Sequence, residues 1–335
     1  MRAVLALLIA SAAHAAETAT TAEIVALVRS SIQSHEPDQK LAKTLHKLKP
    51  AERLDSRAVE ELESEGAGPG AVVELERLNE ASQNLSNPAE PPVFPHPSPP
   101  GDHEQRRIIE AARRVALGYV SALPDFICSE SIQRYMDNKG RFDLKDTVEV
   151  TLTYFGHQEN YKLLSINGKP SIGDYDAIGG AISHGEFGTI LRQIFDPASA
   201  AEFNWDHWTT LRRHAAHVFW FRVAVERSAY RVAYGQYSRF QENAIVGQHG
   251  FVYVDSETGQ VLRILADADS FPPHFAVRSS STHIDYDVVD IGGSSYFLPI
   301  KAEVRMATRE FRTMNQVRFY AFRKFGAETT ITFDK

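Results

Sequence analysis

Alternation of apolar and polar residues with a period of two dominates the chain from residue 125 onward. The pattern recurs in five stretches, residues 148–154, 217–225, 230–234, 298–306 and 317–322. Successive side chains of a β-strand point to opposite faces, so this alternation is typical of strands with one buried face. Most of the region is therefore predicted to form β-sheet.

Tight turns separate the predicted strands, and helices flank them. Turn-forming sequences lie at residues 138–140, 167–169, 255–259 and 292–293. Strands that follow one another through short turns pair in antiparallel fashion. Helices with one apolar stripe are predicted over residues 103–123 and near 186–195, and such a stripe needs a surface to pack on. The predicted fold class is α+β, with a large curved antiparallel sheet (a half-barrel) and helices packed on one of its faces.

The chain in front of this region has a different pattern. Residues 20–85 carry apolar residues at helical spacing on both sides of a Gly-Ala-Gly-Pro-Gly turn at 66–70, which predicts a small helical region. Seven prolines in residues 86–102 predict a stiff, extended linker. Residues 103–335 would then form the β domain with its N-terminal helix.

Residues 1–15 have the layout of a secretory signal peptide. A positive start at Arg2 precedes an apolar run over residues 3–10, and Ala13-His14-Ala15 fits a cleavage site. The apolar run is too short to remain as a membrane-spanning helix. We expect cleavage near Ala15 and a protein that works in the periplasm or outside the cell without spanning the membrane.

The charge balance argues against nucleic acid as a partner. The chain has 36 Lys and Arg against 43 Asp and Glu, a formal net charge of −7, whereas phosphate binding needs a basic face. The glycine-rich turn at 66–70 resembles that of a helix-hairpin-helix DNA-binding motif, but six glutamates lie between residues 60 and 76 and would repel phosphate. Residues 20–85 are better interpreted as a packing unit or as a docking region for a protein partner in the cell envelope.

A search for catalytic motifs finds no nucleophile elbow, P-loop or His-Glu-x-x-His sequence. We therefore expect no catalytic residues, no metal and no cofactor. The single cysteine, Cys128, lies in an apolar stretch and is predicted to be a buried thiol. One alternative is a hydrolase that uses Asp285 and Asp287, which share a strand face, beside Asp290; a solvated strand face explains these residues more simply.

Aromatic bulk is the feature that points to a ligand. The chain has 19 Phe, 12 Tyr and 3 Trp. A curved sheet with aromatic residues on its concave face can enclose a cavity for a lipid acyl chain or another apolar small molecule. The predicted ligand-binding residues are Trp205, Trp208, Phe219, Phe221, Tyr230 and Tyr234. The same residues could instead fill a solid core, which would leave the protein as an envelope scaffold or interaction protein.

Two segments resemble a known family. Residues 250–264 (GFVYVDSETGQVLRI) and 284–299 (IDYDVVDIGGSSYFLP) are similar to hairpins of the LolA-like outer-membrane lipoprotein-sorting proteins. The resemblance covers roughly residues 105–333 and implies a half-barrel wrapped around helices, with an apolar cavity that carries acyl chains across the periplasm. The helical region, the linker and the stretch at 171–214 depart from that family. The chain, including Leu123-Pro-Asp-Phe-Ile-Cys128, also looks like secreted bacterial proteins with no assigned activity. Together these features predict a non-enzymatic, extracytoplasmic binding protein.

Overall fold

The computed structural model describes two compact units, and each is presented by itself. The described residues are 17–89, 98–138, 141–156, 158–172, 175, 178, 187–212, 214–234 and 242–325. The first unit is the described part of Met1–Pro97 together with Thr209–His214, and the second is the described part of Ser98–Trp208 and Ala215–Lys335. The predicted signal peptide lies outside the described residues.

The first unit is helical, as the sequence predicts. Its elements are β1 (Glu17–Ala19), α1 (Thr21–Gln33), α2 (Asp38–His46), β2 (Leu48–Pro50), α3 (Ser56–Glu65) and α4 (Pro69–Ser82). The helices bury one apolar core that includes Val28, Leu45, Leu62, Leu75 and Leu78. The parallel pair β1–β2 was not predicted, because strands of three residues are too short to show a period.

The turn between α3 and α4 is tied to α2 by one carboxylate. Gly66, at φ +115°, ends α3 in a left-handed conformation, and Pro69 begins α4. The Asp38 carboxylate accepts hydrogen bonds from the amides of Gly70 and Ala71, both at 2.8 Å. These are the kind of turn amides that a helix-hairpin-helix motif presents to phosphate. In this chain, phosphate at the turn would have to displace Asp38.

Replacing Asp38 with Ala should destabilise the helical unit. The change removes both acceptors of the α4 N-terminus, so the free energy of unfolding should fall by about 1–2 kcal/mol. Urea unfolding followed by circular dichroism measures this loss, and the Gly70 and Ala71 amides should exchange faster with solvent. Asp38→Asn keeps one acceptor oxygen and should lose less. Unchanged exchange at both amides in Asp38→Ala would contradict this role.

The second unit begins with the long helix α5 (Asp102–Ala122) and is otherwise mostly sheet. Its other helix is α6 (Thr189–Phe195). The strands are β3 (Phe126–Asn138), β4 (Arg141–Phe155), β5 (Gln158–Ile166), β6 (Lys169–Pro170), β7 (Glu202–Leu211), β8 (His214–Val223), β9 (Arg231–Tyr234), β10 (Glu242–Ile245), β11 (Gly247–Asp255), β12 (Val261–Asp269), β13 (Val277–Ile291), β14 (Ser294–Thr308) and β15 (Arg312–Lys324).

Eleven of these strands form one curved, open sheet, in the order β6-β5-β4-β3-β15-β14-β13-β12-β11-β8-β7. Antiparallel ladders join neighbouring strands from β6 to β8. Strands β9 and β10 pair separately as a hairpin. The predicted α+β class with a large antiparallel sheet is confirmed. The sheet does not close into a barrel, so the half-barrel description is also right.

One face of the sheet is buried under the two helices. Ile109, Ala112 and Ala116 of α5 and Ile190 and Ile194 of α6 belong to the same buried cluster as the sheet's inward-facing side chains. Cys128 is 1% exposed within this cluster, which confirms the predicted buried thiol. No helix in the described residues is long and apolar enough to cross a membrane.

Candidate functional site: an apolar cleft beside helix α5

An open cleft of about 370 Å³ lies within the second unit, between α5 and the sheet. Helix α5 contributes one wall, formed by Arg114, Val115, Ala116, Gly118, Tyr119 and Ala122. The other lining residues come from α6, from the β11–β12 turn and from the sheet: Leu191, Gln260, Val261, Tyr286, Ser295, Tyr296 and Phe297. Most of these side chains are apolar or aromatic. The cleft can therefore surround an apolar group on two sides.

Small residues on α5 leave the space open. Gly118 and Ala122 are four residues apart and lie on the same face of the helix. A Cβ atom added at Gly118 would meet no atom within 4 Å. Glycine inside a helix costs roughly 0.5–1 kcal/mol relative to alanine, so a larger residue would fit here and favour the helix. Gly118 is exposed at the cleft, and it adds no side chain to the wall.

Aromatic residues in the half of the β13–β14 hairpin nearest its turn also line the cleft. Tyr286 is 1% exposed, and its ring stacks on that of Phe297 with centroids 6.3 Å apart. The ladder between these strands shifts register between Asp285 and Tyr286. A bulge of this kind bends and twists its strand locally. The irregular part of the sheet thus coincides with the cleft wall.

The hydroxyl of Tyr119 is the unusual polar group of the cleft. Its oxygen is buried and has no hydrogen-bond partner among the residues that the structure describes. Burial raises the pKa of Tyr119 well above its ordinary value, and the nearby Tyr286, Tyr154 and Glu159 raise it further. The side chain is therefore neutral at physiological pH and can donate or accept one hydrogen bond.

Replacing Tyr119 with Phe tests whether this hydroxyl is unpaired in solution. A buried hydroxyl without a partner costs about 1–3 kcal/mol, so Tyr119→Phe should raise the free energy of unfolding, by about 1 kcal/mol if the cleft wall stays in place. Denaturant unfolding of the ligand-free protein measures the difference. A destabilised variant would show instead that the hydroxyl is bonded, for example to an ordered water.

The aromatic residues predicted to bind ligand lie elsewhere in the second unit. Phe219 and Phe221 of β8 are buried in the main core, and Trp205 packs against it. Tyr230 packs on a smaller cluster, and its hydroxyl lies 3.3 Å from that of Thr282. Tyr234 ends β9, but its side chain is outside the described residues. None of the described members, Trp208 included, lines the α5 cleft, so their role in binding stays a prediction.

The residues that line the cleft were not singled out from the sequence. The available signal was Gly118, an isolated glycine in a strongly helical pattern, which often has a packing or functional reason. A second signal was the pair Tyr296-Phe297 in the hairpin that resembles the lipoprotein-sorting family. Both were visible, but nothing in the sequence showed that they meet.

Trp205 and Trp208 both contact the buried side chain of His217. The rings of Trp208 and His217 lie 4.0 Å apart, and Trp205 Nε1 donates to His217 Nδ1 at 3.3 Å. Trp208 Nε1 also donates to the Ser98 carbonyl at 3.3 Å. Burial lowers the pKa of His217, an effect that Glu104 partly opposes. The structure therefore favours neutral His217.

His217 should make stability fall at acidic pH. The unfolded chain takes up a proton near the ordinary pKa of 6.5 and the folded chain only at lower pH, so stability is full above that value and decreases as the pH falls below it. His217→Gln keeps an acceptor for Trp205 but does not titrate, and should flatten this part of the profile. Urea unfolding between pH 7.5 and 5 provides the comparison. An identical pH dependence in both proteins would show that His217 does not contribute.

The carboxylates considered for catalysis are held by other groups. Asp285 accepts hydrogen bonds from Arg263 at 2.6 and 3.3 Å. Asp287 accepts from the Val288 amide and Asp290 from the Gly293 amide. These contacts favour a structural role on the strand face. No group of three or more His, Cys, Asp or Glu side chains in the described residues is arranged to hold a metal ion.

Comparison with known proteins gives distant structural likenesses. No family model and no curated protein matches the chain. A LolA superfamily protein from Nitrosomonas europaea has a TM-score of 0.31 and 9% identity, over 67% of this chain and 94% of its own. A DUF1329 family protein from Desulfovibrio piger has a TM-score of 0.29 and 9% identity, over 66% and 95%.

A third likeness is to the complex of MucA and MucB from Pseudomonas aeruginosa, with a TM-score of 0.20 and 11% identity, over 66% of this chain and 100% of the matched chain. The similarity to LolA superfamily proteins that the two hairpins suggest is thus also found between structures, at a TM-score of 0.31. At these TM-scores and identities the likenesses support no conclusion about ligand or activity.

Proposed function

We propose that this protein is an extracytoplasmic, non-enzymatic binding protein that holds a lipid chain or another apolar small molecule in the α5 cleft. The observation that carries the proposal is the cleft of about 370 Å³ with its largely apolar lining. Ligand sites are typically concave, about 300–1,000 Å³ in volume, and lined by apolar and aromatic side chains with a few polar groups. The α5 cleft has each of these properties.

Apolar side chains of the cleft remain open to a ligand. Protein interiors are normally packed as densely as organic crystals. Around Phe219 and Phe221 the covered face of the sheet is buried in this way, with both side chains at most 1% exposed. At the cleft, Gly118 is exposed, and no atom lies within 4 Å of its Cβ position. An apolar ligand would remove this surface from water at about 25 cal/mol per Å².

The composition of the cleft favours binding over catalysis. Its charged or titratable side chains, among the described residues, are Arg114 and three tyrosines. Asp285 does not line the cleft and forms an ion pair with Arg263. A positioned acid and base on one substrate atom would be needed for hydrolysis. The extracytoplasmic location rests on the signal-peptide pattern of residues 1–15.

Adding a side chain to the cleft from the helix side should weaken binding. Gly118→Leu places a branched side chain in the open volume and favours the helix, so the protein should stay folded. Displacing two methylene groups of ligand costs about 0.8 kcal/mol each, so affinity should fall about tenfold or more. Fluorescence titration with N-phenyl-1-naphthylamine, a neutral apolar fluorophore, measures the change.

Ser121→Leu is the matched control. Ser121 lies on α5, is exposed and does not line the cleft, so this variant adds the same side chain to the same helix without occupying the volume. It should bind as the unaltered protein does. Equal affinity in Gly118→Leu and Ser121→Leu, or no binding by the unaltered protein, would overturn the proposal. The solid-core interpretation, with residues 20–85 docking a protein partner, would then be preferred.

A further inference from the structure

One positive charge stands at the wall of the apolar cleft. Arg114 is the one charged side chain among the described residues that line it. It is exposed, and it forms no ion pair or hydrogen bond with another described residue. Two other arginines of α5 are in ion pairs: Arg113 with Glu110 at 2.5 Å and Arg107 with Glu104 at 2.6 Å. Arg114 therefore has its guanidinium available.

An arginine in this position suits an anion attached to an apolar chain. The aliphatic stem of arginine can lie along apolar surface while the guanidinium stays in water. The planar guanidinium matches the geometry of a carboxylate or a phosphate and bonds either with two parallel N–H groups. A chain in the cleft would bring its head group to this rim. The other described residues of the lining carry no negative charge that would repel it.

The volume of the cleft limits the size of the chain. A volume of about 370 Å³ is near the lower end of the range of about 300–1,000 Å³ that is typical of small-molecule sites. A cleft of this size suits one medium-length alkyl chain.

We propose that the ligand is a single-chain anionic amphiphile, with its chain in the α5 cleft and its carboxylate or phosphate head at Arg114. This inference rests on the proposed function and deepens it by naming the ligand class. It is distinct from apolar binding alone, because it requires the head group to be negative.

A head-group series tests the proposal at constant chain length. Isothermal titration calorimetry below the micelle concentration would compare dodecanoate and dodecyl phosphate with neutral dodecanol and with dodecyltrimethylammonium. An exposed ion pair contributes up to about 1 kcal/mol, so the two anions should bind about three- to fivefold tighter than dodecanol, and the cation more weakly still. Arg114→Gln should abolish the difference between dodecanoate and dodecanol.

Arg106→Gln is the control for loss of positive charge. Arg106 is exposed on the same helix and does not line the cleft, so this variant should keep the preference for anions. If Arg106→Gln lowers the preference as much as Arg114→Gln, the effect is a general one of charge and the head-group site is wrong. If dodecanol binds as tightly as dodecanoate, the inference is overturned while the proposed function stands.

Two further ligands separate the sources of the anion. Sodium acetate should show no saturable binding, and acetate binding as tightly as dodecanoate would indicate a site for free anions instead. Dihexanoyl phosphatidate has two six-carbon chains, which together have as many carbons as the single dodecyl chain. It should bind more weakly than dodecyl phosphate. Equal or tighter binding would contradict the single-chain assignment. Failure of every amphiphile to bind would overturn both this inference and the proposed function.

Discussion

The packing of helix α5 against the covered face of the sheet decides where the core closes and where it stays open. The middle of the helix places Ile109, Ala112 and Ala116 in the main buried cluster. Two residues after Ala116, on a different face of the helix, lies the exposed Gly118, whose Cβ position has no neighbour within 4 Å. Because a helix is rigid over these turns, its apolar stripe fixes the distance between its last turns and the sheet. The cleft is a consequence of that fixed distance and of small residues at its wall.

The face of the sheet that the helices cover has a closely packed part and an open part. Aromatic residues fill the core in the first part and line the cleft in the second. Trp205 and Trp208 pack around His217, and Phe219 and Phe221 pack into the sheet core, so these aromatic residues stabilise the fold in the way that a filled interior does. The open volume lies instead beside Tyr286 and its neighbours on β14. Aromatic richness therefore predicts burial well, but it does not predict which aromatic residues face empty space.

Most of the fold was predictable because its signals are local. Alternation over residues 148–154 lies inside β4, that over 298–306 lies inside β14, and the helix predicted over 103–123 differs from α5 by one residue at each end. The cleft was not predictable in this way. It joins Gly118 to Tyr286, and the contact between residues so far apart in sequence depends on which strands lie beneath the helix. Strand order is a tertiary property that no local period encodes.

The charged group of the cleft and the buried histidine that titrates are different residues. The pH dependence of binding and that of unfolding should therefore have different origins. Arg114 is the one charged residue among the described residues that line the cleft, and burial keeps Tyr119 neutral at physiological pH. A ligand in the proposed site would therefore meet one positive charge from these residues. His217, which titrates nearer to neutral pH, does not line the cleft and acts on the stability of the fold. A pH dependence of binding within the folded protein would thus belong to the head group of the ligand, and a pH dependence of unfolding to the protein.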